Sequence, residues 1–190
     1  MPPRLPPLPD DQWDDRAREV LSALLPRSMR NAAAAGNAMS TLVRHPELTA
    51  AFLPYSTYLL VGSTLPDRLR ELVILRIARR RDCAYEWTHH FYAAQQAGLT
   101  EAEVEAAGQG KATDPLESAV LDAVDELEDG SDVSDRTWAA LSEHLDEHQL
   151  MDLVFTVGTY ALMAMAFNTF GIRPEHDARE RAERRRARGH

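Results

Sequence analysis

The stretch PDRLRELVILRIARRRDCAYEWTHHFYAAQQAGLT, residues 66–100, carries two helix signals in succession. Pro66 suits the first turn of a helix, because its ring presets the helical φ and its missing N–H has no partner there. Leu69, Leu72, Val73, Leu75, Ile77 and Ala78 then give that helix an apolar side, which the basic run Arg79-Arg80-Arg81 with Asp82 interrupts. The spacing predicts a second helix from about Asp82, a short acid suited to the N-cap, to Gln96. Ala97-Gly98 closes it with a residue suited to the left-handed C′ position. Inside this second helix DCAYEWTHH, residues 82–90, gathers a thiol, a carboxylate, an indole and two imidazoles. At about 100° per residue Cys83, Glu86, Trp87 and His90 fall within roughly a quarter turn, so one surface would carry a potential nucleophile, acid and base. His89 points about 100° away and is expected at the surface.

Outward from this pair the helical pattern continues. On the N-terminal side a helix is expected from Asp10 or Asp11 to Leu25, closed by Pro26, and a short one from Asn37 to Arg44 after Gly36. His45-Pro46 breaks the chain before another helix, which runs to about Leu60. On the C-terminal side Thr100 and Glu103 form a capping-box signature, and helices follow at about 115–129, 134–144 and 147–170. No run of alternating apolar and polar residues is bounded by hairpin turns, so the fold class read from the sequence is all-α. Five prolines in the first nine residues make the start an extended arm, of the kind that often crosses a neighbouring subunit. The expected organisation is therefore an arm at 1–10, one helical domain at 11–172 and a charged, Arg-rich tail at 173–190.

A chain of 190 residues, 44% hydrophobic, is long enough for one compact domain with a full core. Its net charge of -9 argues against nucleic acid and anionic membrane surfaces, whose binding depends on summed positive charge. Small-molecule or protein partners fit better. A single cysteine cannot form an internal disulfide and no signal-peptide pattern opens the chain, so a cytoplasmic location is expected. Leu153 to Ile172 runs without a charge and is long enough to span a bilayer. Its threonines, Asn168, Tyr160 and Gly158 dilute it, and the amphipathic helices need a central apolar partner, so it reads as a buried core helix. Tyr85, Trp87, Phe155, Tyr160, Met163, Met165 and Phe167 are expected in the core or as pocket wall. The acidic stretch from Asp114 to Asp152 reads as a solvated face. Glu86-x-x-His89 has the spacing used in helical di-iron bundles, but no second copy and no HExxH exists, so no metal and no cofactor is expected.

Arg70-Glu71-Leu72, then Ala84-Tyr85-Glu86-Trp87 with His90, then Ala97-Gly98-Leu99-Thr100, resembles the carboxymuconolactone decarboxylase-like proteins, a superfamily that includes the alkylhydroperoxidase D group. The likeness extends from about Asn37 to Gly171, including HPEL at 45–48 and the late VGTYALMAMAFNTFG. It implies a compact, multi-helix alkylhydroperoxidase D-like fold, assembled as a homo-oligomer, a trimer or a hexamer. In the alkylhydroperoxidase D group the motif helix carries Cys-x-x-Cys-x-x-x-His, with a glutamate twelve positions before the first cysteine. Glu71, Cys83 and His90 match that pattern here, and Glu86 replaces the second cysteine. Without a resolving thiol the internal disulfide of a peroxidase cycle cannot form.

The decarboxylase branch, as the resemblance implies, moves protons and stabilises an enolate-like species. That leaves Glu71, Glu86 and His90 as expected catalytic residues, Cys83 as their neighbour, and Tyr85 and Trp87 as substrate-binding walls. His90 as imidazolium would supply cation and proton, Glu71 would orient it, and Glu86 would act as acid or base. The expected function is cofactor-independent proton transfer, of decarboxylase or isomerase type, on a small carboxylated or carbonyl substrate. Two alternatives stand beside it: a thiol-dependent alkylhydroperoxidase or peroxiredoxin-like antioxidant enzyme using Cys83, and a non-enzymatic oligomeric binding protein in which Glu86 simply pairs with an arginine such as Arg79 or Arg80.

Overall fold

The computed structural model describes residues 2–175 and contains no strand among them, so the chain is all-α over that range. The expected tail lies outside the described residues from His176 onward. The chain divides into two compact units, residues 2–62 with Ala166–Glu175, and Ser63–Met165.

In the first unit the helix expected from Asp10 or Asp11 to Leu25 is broken into a 3-10 turn at Asp10–Gln12, α1 (Asp15–Glu19) and a second 3-10 turn at Val20–Ala23. Trp13 explains the break. Its backbone is extended, its ring is buried, and its indole N–H donates to the Leu8 carbonyl at 2.9 Å. The chain therefore restarts at Asp14, whose carboxylate accepts from the Ala17 N–H at 2.7 Å as an N-cap. The N-terminal arm is extended and runs along its own unit: the Leu5 N–H donates to the Phe170 carbonyl at 3.1 Å and the Leu8 N–H to the Ser40 carbonyl at 2.7 Å. α2 (Ala32–Leu42) begins earlier than expected, capped by Asn31, and kinks at Gly36, whose φ of 78° suits glycine. α3 (Pro46–Thr57) follows, with a π-helical turn at Tyr58–Gly62. Trp13, Val20, Leu21, Leu25, Val43 and Leu53 form the core of this unit.

The second unit is built around α4 (Asp67–Arg80), which packs against α5 (Ala84–Gln96), α6 (Glu101–Gly108) and α7 (Pro115–Gly130). α8 (Asp135–Ser142) and α9 (Glu147–Phe170), the latter as far as Met165, complete it. Leu72, Val73, Ile74, Leu75 and Ile77 of α4 are all shielded from solvent. Burying each such side chain stabilises the fold by about 1.5–3 kcal/mol.

The basic run meets the acidic stretch, expected to be a solvated face, within this unit. Arg76 holds Asp125 through two hydrogen bonds at 2.7 and 2.8 Å, Arg80 reaches Asp125 at 3.1 Å, and Arg81 pairs with Glu128 at 2.7 Å. Asp152 is buried, accepting from the Ser63 hydroxyl and from the backbone and hydroxyl of Thr64. Carboxylates that hydrogen-bond in this way can leave water. The capping box forms as expected, with the Glu103 carboxylate 2.7 Å from the Thr100 N–H.

Asp82 is not the N-cap of α5. It adopts a left-handed backbone, φ 49°, while its N–H donates to the Arg79 carbonyl and the Cys83 N–H to the Ala78 carbonyl. These are the two bonds of a Schellman ending on α4. Only three residues link α4 to α5, so Asp82 is spent on closing the first helix and Cys83 becomes the N-cap of the second, without a side-chain capping bond. Gly98 plays the same closing part after α5, at φ 91°.

Candidate active site

Two helices of the second unit bring the site together. α4 contributes Arg70 and Glu71, α5 contributes Glu86 and His90 one turn apart on a single face, and all four side chains are buried. His90 sits between the carboxylates: Nδ1 is 2.7 Å from Glu71 Oε2 and Nε2 is 3.4 Å from Glu86 Oε2. Arg70 approaches Glu71 Oε1 at 3.5 Å and donates to Asp67 at 2.8 Å. Burial alone would push the imidazole toward neutrality. The charge of Glu71 and the hydrogen bonds that both carboxylates accept from the ring outweigh it and carry His90 up to about 10. His90 is therefore an imidazolium at neutral pH, with both ring nitrogens donating. Arg70 and His90 balance Glu71 and Glu86, which is how four ionisable groups can share a dry site.

The ring packed edge-on against His90 belongs to Tyr160 of α9, with centroids 5.1 Å apart and planes at 88°. Burial, then the negative charges of Glu86 and Glu71, push its hydroxyl well above the ordinary range, so it stays protonated. Two polar atoms of this buried group have no hydrogen-bond partner, Glu86 Oε1 and Arg70 Nε. An orphaned acceptor and an orphaned donor in one charge cluster are costly unless something else uses them.

Of the residues expected at a site, Glu71, Glu86 and His90 converge. The alternative pairing of Glu86 with Arg79 or Arg80 does not occur, since Arg79 pairs with Glu105 and Arg80 with Asp125 and Asp129. Cys83 is 1% exposed at the start of α5, and burial, followed by the nearby charges of Glu86 and Asp82, raises its thiol to about 11. Tyr85 stacks on the His89 ring at 4.1 Å. Trp87 lies under the Arg79 guanidinium, 3.8 Å from the ring centroid, and packs on the second unit's core. Sequence reasoning placed Tyr160 only as a wall and gave Arg70 no role. The one signal for Arg70 was its place next to Glu71, and for Tyr160 a hydroxyl on an otherwise apolar helix. Phe155 and Met165, expected in the core, are each 50% exposed. Among the described residues no group of three His, Cys, Asp or Glu side chains is arranged to hold a metal ion. Surface cavities of about 240 and 290 Å³ are lined by other residues, the first around Asp14 and Arg44 and the second around Leu72 and Lys111.

Residues 46–129 match the carboxymuconolactone decarboxylase family. The fold is shared with the alkylhydroperoxidase AhpD core of an uncharacterized peroxidase-related protein from Ralstonia eutropha JMP134, at 21% identity and a TM-score of 0.70, over 94% of this chain and 95% of that one. It is shared also with an uncharacterized peroxidase-related protein from Silicibacter sp. TM1040, at 18% identity and a TM-score of 0.71, over 93% and 91%. The debrominase Bmp8 matches at 15% identity and a TM-score of 0.69, over 97% and 98%, in a cysteine-to-alanine variant bound to 2,3,4-tribromopyrrole. Among curated proteins none matches this chain in sequence. The buried glutamates and the histidine between them thus sit in an all-α chain that shares the fold of these structures, and whose segment 46–129 matches the carboxymuconolactone decarboxylase family.

Proposed function

We propose that this chain is a small enzyme of carboxymuconolactone decarboxylase type that transfers protons, without a cofactor, on a small carboxylated or carbonyl substrate, as a decarboxylase or an isomerase. The observation that carries the proposal is His90 held as a buried imidazolium between Glu71 and Glu86, with Glu86 Oε1 left unpaired. An imidazolium supplies both the positive charge that steadies a developing enolate and a proton to quench it. Glu86 has the free lone pair to accept a substrate proton, and Glu71, bonded to Nδ1, positions the ring. The unpaired Arg70 Nε offers a donor to a carbonyl or carboxylate oxygen. Tyr85 and Trp87 remain proposed as flanking binding residues. Assembly as a trimer or hexamer and a cytoplasmic location are proposed on the family resemblance and composition alone.

A thiol-dependent alternative needs a nucleophile that ionises near neutral pH. Cys83 is buried, its thiol is raised to about 11, and the position three residues on carries Glu86 in place of a resolving cysteine. The test is solvent exchange at carbon. β-Keto acids and small cyclic carbonyl compounds are incubated with the protein in deuterium oxide and followed by NMR. Exchange or decarboxylation should be lost by about 100-fold or more in Glu86→Gln and kept in Cys83→Ser. Hydroperoxide reduction that disappears in Cys83→Ser would establish the thiol reading in its place. Unchanged turnover in Glu86→Gln would remove the carboxylate from the chemistry.

A further inference from the structure

We infer that α9 carries a self-docking strip through which two copies of this chain pair antiparallel about Gly158. Between Met151 and Met165 the exposed residues of this helix are Met151, Phe155, Gly158, Leu162 and Met165, and all others are buried or partly buried. Their spacing alternates four and three, the two-in-seven seam by which one helix packs along another at a shallow crossing angle. Four of the five are large and apolar, exposed by 59% at Met151, 50% at Phe155, 52% at Leu162 and 50% at Met165. The fifth is a glycine whose missing Cβ would meet nothing within 4 Å, so another backbone can approach there.

The order of the strip selects the partner. Read outward from Gly158, it meets Phe155 and Leu162 on its two sides, then Met151 and Met165, so its two halves match in size and chemistry. Turned end for end on itself, the strip sets Phe155 against Leu162 of the second copy, Met151 against Met165, and glycine against glycine. That is the self-complementarity a two-fold interface requires. Charge agrees. A chain of net charge -9 repels its own kind, and this strip exposes no ionisable group, while Asp152 beside it is turned inward onto Ser63 and Thr64. Area agrees as well: the strip offers roughly 400 Å² of apolar surface per copy, against the ~450 Å² apolar share of the ~800 Å² that each partner of a standard interface covers. α9 is also long and apolar enough to cross a membrane by length and composition. A lipid-facing helix presents a broad apolar face, however, and this one presents a strip one side chain wide. Two-fold pairing is compatible with a hexamer and not with a bare trimer.

Sedimentation velocity of the full chain tests this at concentrations up to about 100 μM, a range in which interfaces of this size associate. The wild type should sediment as a dimer or a higher even multiple, and Phe155→Glu should weaken association by about 100-fold with the helical circular dichroism unchanged. Phe155→Lys combined with Leu162→Glu in one chain should restore pairing, because the antiparallel register sets the two new charges opposite each other. Gly158→Cys should form a disulfide-linked dimer on mild oxidation. A wild type that stays monomeric overturns the inference, as does association that Phe155→Glu leaves untouched. Failure of the paired substitutions to rescue overturns the antiparallel register. A monomer that binds phosphatidylcholine vesicles through these residues assigns the strip to lipid and overturns the pairing.

Discussion

Glu71 and His90 stand 19 positions apart in the chain and 2.7 Å apart in space, joined across the Schellman ending that turns α4 into α5. The tight link makes the carboxylate of one helix the permanent partner of the imidazole on the next. Glu86, one turn before His90, completes the clasp from the other side. A buried cation between two anions is stable only as a set, and that coupling makes it testable.

The protonation of His90 is the first consequence. Its folded pKa of about 10 lies above the unfolded value of about 6.5, so the stabilisation is complete below about pH 6.5 and is lost as pH climbs through 10. In NMR spectra of the histidine rings, His90 should keep both ring protons to about pH 10. Denaturant stability should fall over that window by on the order of a few kcal/mol. A His90 ring already neutral at pH 8 would contradict the clasp.

Removing Glu71 leaves His90 with one carboxylate and Arg70 without its buried neighbour. Glu71→Ala should cost about 3–5 kcal/mol in urea denaturation, as breaking a buried ion pair does, and should lower the His90 pKa. A loss below 1 kcal/mol, the size seen for an exposed pair, would mean that water already screens this pair.

Cys83 should behave as an inert core residue. With its thiol raised to about 11, the thiolate fraction at pH 8 is about one in a thousand, and iodoacetamide should label the native chain at least 100-fold more slowly than the denatured one. Rapid native labelling would show the thiol to be open to reagents.

Gly108 is required by the Trp87 ring. A Cβ there would lie 2.8 Å from Cη2 and 2.9 Å from Cζ3 of an indole already held under Arg79. In an unobstructed helix glycine to alanine stabilises by about 0.5–1 kcal/mol. Here Gly108→Ala should instead cost about 1–3 kcal/mol and lower Tm by about 2–4 °C per kcal/mol, read by thermal unfolding with tryptophan fluorescence. A raised Tm would mean that the ring moves aside freely.

Helix identity was legible because its signals are local. Thr100 and Glu103, Ser134 before α8, and the uncharged run of α9 each declare an element through neighbours a few residues away. Reading failed where a residue answers to something distant. Trp13 leaves the helical pattern for the first unit's core, and Asp82 carries the signal of an N-cap but is consumed in ending the preceding helix. The acidic stretch looked solvated because its arginine partners, Arg76 and Arg81, lie more than forty positions upstream.

The same division holds at the site. Period alone put Glu86 and His90 on one face of α5, and family likeness added Glu71, because helical geometry and motif spacing survive in a linear string. Which ring meets His90 edge-on, how Arg70 balances the charges, and which side of α9 is left uncovered depend on how helices separated in sequence pack around α4. Helix-forming bonds span four residues and are written locally, whereas burial and electrostatic pairing belong to the assembled core and exist only once it closes.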